Sequence, residues 1–134
     1  MSKASPDKSI AELLLQAARQ DLTAARLLAV APEIGDATVG FHLQQAVEKS
    51  LKAVLSANRI EFRRTHDLAL LLDLLQDNHL VPPEADWLDE LNPYAVEARY
   101  GTIEPEGLDR NRAIRAAANV MTWADAQVGQ GLPK

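Results

Sequence analysis

Between Phe41 and Leu55 the chain reads FHLQQAVEKSLKAVL, and apolar residues return every three or four positions: Phe41, Leu43, Val47, Leu51, Val54 and Leu55. This is the helical period, so the stretch must bury one broad side against other helices. Polar residues are just as regular. His42, Gln45, Lys49 and Lys52 form a second line, and Gln44 and Glu48 a third. One face can bury while another presents amides and cations. Whether that polar face is solvated or is a site is the central question the sequence poses.

The rest of the chain has the same period. Ser5-Pro6 starts a first helix, with serine as cap and proline in the first turn. Ile10, Leu13, Leu14, Ala17, Ala18, Leu22, Ala25 and Leu28 keep its spacing, Arg19, Gln20, Thr23 and Arg26 fall largely opposite, and Pro32 stops it near Ala31. Asp36 or Thr38 caps the second helix, which ends near Asn58. Arg59 to Arg64 is a short basic loop. Thr65-His66-Asp67-Leu68 opens a third helix with Thr65 as cap, carrying Leu68, Leu71, Leu72 and Leu75 to about Asp77-Asn78. After Pro82-Pro83 a fourth helix runs from Glu84 to between Tyr94 and Tyr100, kinked or split at Pro93. Gly101-Thr102 breaks the chain, and a fifth helix starts at Glu104-Pro105-Glu106 and reaches about Val128.

No segment sustains a two-residue alternation. The expected fold class is therefore all-α: an up-and-down antiparallel bundle of four long helices plus a shorter one, in a single domain over 1–134 with an ordered core of about 6–128. Leu and Ala dominate the apolar set and only 4% of residues are aromatic, which fits helix. The chain has no cysteine, so disulfides and thiol nucleophiles are excluded. The net charge of −5 provides no global field for nucleic acid, although a local basic patch remains open. The first residues lack the apolar run of a signal peptide, and no stretch approaches the ~20 apolar residues of a membrane span. We expect a cytoplasmic protein without a membrane partner.

Three features compete with plain readings. The line Gln44, Gln45, Glu48, Lys49, Lys52 is either a solvated face with Glu48–Lys52 as an i, i+4 pair, or a partner or nucleotide surface. Arg59, Arg63 and Arg64 precede the start of the third helix at Thr65-His66-Asp67. They form either an ordinary loop or an anion site of guanidiniums and free helix amides. Tyr94 and the run through Arg99, Tyr100 and Gly101 are either packing residues or hold a phosphate ligand in Arg99. Dinucleotide, Walker and zinc motifs are absent, and His42, His66 and His79 lack metal-ligand spacing. No metal and no cofactor are expected.

Phe41-x-x-x-Gln45-x-x-Glu48-Lys49-x-Leu51-Lys52-Ala53, then Thr65-His66-Asp67-Leu68, then Tyr94-x-x-x-x-Arg99-Tyr100, resembles the HEPN domain family (higher eukaryotes and prokaryotes nucleotide-binding) over roughly Leu13 to Val128. The resemblance implies a helical bundle, often a homodimer, found beside small nucleotidyltransferases. Some branches are RNA-cleaving toxins paired with such a transferase as antitoxin. Others bind nucleotides or partner proteins without catalysis. Catalytic branches carry Arg, four to six residues, then His. Here Arg99 is the best positional match, and no histidine occurs from Tyr100 to Glu106. Arg59 and His66 have the spacing but precede the third helix.

The expectation is thus a non-catalytic or weakly catalytic module that binds a nucleotide, a nucleotidyltransferase partner, or both, as a homodimer, with RNA also open as a ligand. Its site residues are Gln45, Lys49, Lys52, Arg64, His66, Arg99 and Tyr100; none is assigned a catalytic role. The alternatives are a metal-independent ribonuclease toxin and a purely structural dimerisation domain.

Overall fold

The computed structural model describes residues 6–95 and 107–130. Four α-helices and a shorter 3-10 segment make an all-helical bundle, with no strand among the described residues. They are α1 (Pro6–Ala29), α2 (Asp36–Ala57), α3 (Leu68–Asp77) and α4 (Arg110–Gln130), with the 3-10 segment Leu88–Tyr94 between α3 and α4. α2 is central: it packs on every other element, and twelve of its residues are buried. α1 runs antiparallel to α2 across a short corner. It is also antiparallel to α4, since Arg19 pairs with Asp125 while Arg110 reaches Ala29.

α1 differs from expectation in which side it buries. The inward stripe is Ala11, Leu15, Ala18, Leu22 and Ala25. A second line, Ile10, Leu13, Ala17, Gln20, Ala24 and Leu27, repeats at alternating three- and four-residue steps on another side, and Leu13 and Leu27 are 66% and 70% exposed. The expected stripe mixes Ile10, Leu13 and Ala17 of this line with Ala18, Leu22 and Ala25 of the inward one and omits Ala11 and Leu15, because a helix rich in Leu and Ala is apolar on more than one side.

α2 and α3 end alike. In Asn58-Arg59-Ile60 and Asn78-His79-Leu80 the middle residue turns left-handed, at φ 57° and 63°. The next amide then bonds back to Leu55 O or Leu75 O at 2.9 Å. This is the Schellman closure, here without its usual glycine.

At the entry to α3, Asp67 is the cap rather than Thr65, and accepts from the Ala69 amide at 2.9 Å. Thr65 Oγ1 instead accepts from the Asp67 amide. Asn92 accepts from the Leu68 amide and donates to Asp67, both at 3.0 Å. α2 begins after Gly35 with no side-chain cap. Asp36 is drawn away to Leu108 N at 2.9 Å and Arg110 Nε at 2.8 Å. Arg110 also donates to Ala29 O and Ile34 O, closing the α1–α2 corner onto the start of α4. The Leu108 amide and then Arg110 hold the Asp36 carboxyl below its ordinary value, against the opposing effect of burial.

The expected fourth helix is a turn followed by the 3-10 segment. Glu84 adopts φ 66°, and Pro93 has no amide to continue an α-helical ladder. Glu84 is fixed there by Arg112 at 2.7 Å and Asn119 at 2.9 Å. α4 starts at Arg110, with Gly107 to Asp109 outside it, and extends two residues beyond Val128.

Candidate functional site

Gln44 and Glu48, the third line on α2, are buried, as no solvated-face reading allows. Asp67 and Asn92 fix the backbone just before α3, which brings His66 over this line. Glu48 Oε1 accepts from Gln44 Nε2 at 3.1 Å and Gln45 Nε2 at 3.3 Å, and lies 3.0 Å from His66 Nδ1. Oε2 accepts from Lys52 Nζ at 2.9 Å. Gln44 also donates to His66 O at 3.1 Å, and Gln45 to Gln44 Oε1 at 2.7 Å. A buried carboxylate is tolerated when its lone pairs are filled and a cation neutralises it, and both conditions hold here. No buried side-chain nitrogen or oxygen lacks a partner among the described residues.

The second polar line is tied to α1 by Asp21. Lys49 Nζ lies 2.6 Å from Asp21 Oδ2, and His42 Nδ1 lies 3.0 Å from Oδ1. Asp21 was not singled out from sequence. Its signal was available: a carboxylate between Ala18 and Leu22 on the edge of the inward stripe of α1.

The basic loop is held at several points. The Ile60 amide closes on Leu55, Phe62 lies under Lys52 Nζ at 5.8 Å, and His66 is fixed on Glu48. Arg63 and Arg64 are exposed and have no ion-pair partner among the described residues. The first amides of α3 are taken by Asp67 and Asn92, so an anion here meets side chains rather than helix amides.

Of the expected site residues, Gln45, Lys52 and His66 converge on Glu48, and Lys49 stands one turn away on Asp21. Arg64 lies two residues before His66 on the exposed loop. Arg99 and Tyr100 lie outside the described residues. Since Glu48 only accepts, the productive tautomer of His66 carries its proton on Nδ1 and leaves Nε2 free on a side chain 57% exposed. No group of three or more His, Asp or Glu is placed to hold a metal among the described residues. No helix there is long and apolar enough to cross a membrane.

Fold and site together define an all-helical module whose central helix carries a buried carboxylate hub under a basic loop. The sequence model of the HEPN domain matches residues 11–127, and the chain belongs to that family. No curated protein and no solved structure matches it.

Proposed function

We propose that this chain is a non-catalytic HEPN module that binds a phosphate-bearing ligand, a nucleotide or an RNA phosphate, on the face formed by α2 and the loop before α3. The observation that carries this reading is the pair Arg63 and Arg64: exposed, without ion-pair partners among the described residues, and mounted on a loop anchored to the core. Guanidiniums match phosphate oxygens in a planar fork. Arg64 and His66 make first contact. Behind them Lys49 and Lys52 offer their remaining N–H donors, their charges being paired with Asp21 and Glu48, Gln45 holds Glu48 in place, and Arg99 and Tyr100 complete the set of ligands.

In the same reading the chain works in the cytoplasm as a homodimer with a small nucleotidyltransferase as partner. The second stripe of α1, Ile10, Leu13 and Leu27, supports a dimer face, because it borders the Asp21 cluster and gives an apolar centre with a polar rim. Calorimetry with ATP and AMP at two salt concentrations tests the ligand. Saturable binding is expected, lost in Arg63→Ala/Arg64→Ala. No heat from folded protein defeats this half of the proposal. Co-elution with a small nucleotidyltransferase tests the partner, and separate elution defeats it.

One observation favours a second reading, metal-independent RNA cleavage. Glu48 orients His66 with Nε2 outward, as a general base or acid requires. Cleavage of an RNA oligonucleotide abolished by His66→Ala would select it. Intact RNA after long incubation rules it out.

A further inference from the structure

The second polar line of α2, His42, Gln45, Lys49 and Lys52, continues one turn further to Ser56. There it meets a cleft of about 370 Å³ lined by Ser56, Arg59, Ile60, Glu61 and Phe62. That volume is in the range of small-molecule sites. The cleft shares no residue with the Glu48 hub, yet the chain that walls it runs straight on into Arg63 and Arg64. Its walls are fixed. Arg59 is held left-handed at φ 57° and the Ile60 amide closes on Leu55 O at 2.9 Å, so the cleft is built on the terminal turn of α2. Ile60 and Phe62 are half-buried against the core and give it an apolar lining, with Lys52 Nζ 5.8 Å from the centroid of the Phe62 ring. An aromatic ring beside cations is how proteins seat a nucleobase next to its phosphate.

The polar lining selects the base. Glu61 is exposed and has no ion-pair partner among the described residues. A carboxylate only accepts, so it calls for an edge with adjacent N–H donors. Arg59 brings donors to the same cleft; it has a contact of its own, and a guanidinium carries five N–H groups. Guanine alone among the common bases meets both needs, with two neighbouring N–H groups for a carboxylate and O6 and N7 for an arginine. Adenine would set the lone pair of its N1 against Glu61.

Given the phosphate reading above, on which this rests, we propose that the ligand is a guanine nucleotide whose base occupies this cleft. The base stacks on Phe62, Glu61 accepts from its two N–H groups and Arg59 donates to O6. The phosphate lies on Arg63 and Arg64. Two residues separate Phe62 from Arg64, at most about 7 Å of extended chain, which with an arginine side chain is the scale of the reach from a base to its 5′-phosphate.

Calorimetry with the full-length protein should find GMP about tenfold tighter than AMP and than ribose 5-phosphate. Glu61→Gln, at an exposed position where folding is not at stake, should lower the affinity for GMP about tenfold and leave that for pyrophosphate no weaker. Phe62→Leu should lower it by a similar factor. Equal affinity for GMP, AMP and ribose 5-phosphate overturns the base site while sparing the phosphate reading, as does unchanged GMP affinity in Glu61→Gln. If no phosphate compound binds, the phosphate reading falls, and saturation-transfer NMR with guanosine, which has the base without phosphate, decides the cleft by itself. A guanosine signal that is lost in Glu61→Gln and absent with adenosine upholds the guanine site. No guanosine signal, or the same signal in the variant, overturns it.

Discussion

Glu48→Gln should be among the most damaging conservative substitutions in this protein. The amide has the size of the carboxylate but only one oxygen. Turned toward Gln44, Gln45 and His66, that oxygen leaves an NH2 group against the Lys52 ammonium. Turned toward Lys52, it sets the NH2 against the donors of Gln44 and Gln45. Either way donor faces donor at a side chain only 4% exposed. Charged hydrogen bonds contribute about 1.5–3 kcal/mol, and breaking a buried pair by removing one partner costs about 3–5 kcal/mol. The Lys52 side chain, 14% exposed, can turn its ammonium toward water, which favours the lower end. The expected loss is about 3 kcal/mol, or roughly 10 °C in Tm for a chain of this size. Urea unfolding followed by far-UV circular dichroism measures it, with an unchanged m-value as the control for a two-state comparison. Lys52→Met should cost a similar amount, about 3 kcal/mol, because it takes the donor from Oε2 and leaves the buried carboxylate without its counter-charge. The double variant should show a coupling above about 1 kcal/mol. A Glu48→Gln protein within 1 kcal/mol of the parent, on the scale of an ordinary surface change, would refute the claim that the hub is buried and interdependent.

Gly40→Ala should destabilise by about 1–3 kcal/mol in the same assay, because its new Cβ would overlap the Tyr94 ring and overpacking forces the ring or helix to shift. His79→Gly should stabilise by roughly 1 kcal/mol, since the left-handed position at the end of α3 strains any side chain. Asp36 and Glu84 both have lowered folded-state pKa values, caused first by the Leu108 amide and by Arg112 respectively. Their stabilisation is therefore complete above the unfolded values near 4 and is lost as pH falls through the lower folded values. Asp36→Asn/Glu84→Gln should flatten the fall of stability below about pH 4, measured by urea midpoints across an acid series. Leu13→Glu/Leu27→Glu should leave the circular dichroism spectrum intact and abolish any dimer seen by light scattering; a dimer that persists moves the interface off α1.

The helices were legible because their apolar residues repeat with the helical period, and the last turns of α2 and α3 fell close to where the sequence placed them. The fourth segment was not legible. Trp87, Leu88 and Leu91 have inward spacing in either an α-helix or a 3-10 turn, and what separates the two is Glu84 held left-handed by side chains from α4. The site was half legible. Gln45, Lys52 and His66 were chosen for donors and charge, and they do meet. What gathers them is Glu48, whose neighbours in sequence look like those of any solvated glutamate. Its burial depends on His66 arriving from another segment, and Asp21 joins through the α1–α2 packing. Linear spacing encodes neither contact.

The anchored loop also fixes how this protein can open. Loops on most bundles fray alone, at free energies far below global unfolding. Here Phe62 rests under Lys52, and His66 is bonded through both ring and carbonyl to residues buried in the central helix. Releasing Arg63 and Arg64 therefore exposes part of the core, and the loop belongs to the same cooperative unit as α2. Much of the ordering entropy that a ligand would otherwise have to overcome is already spent in folding. A molecule seated on the two arginines thus reports its binding in the melting of the whole bundle, not in the quieting of one loop.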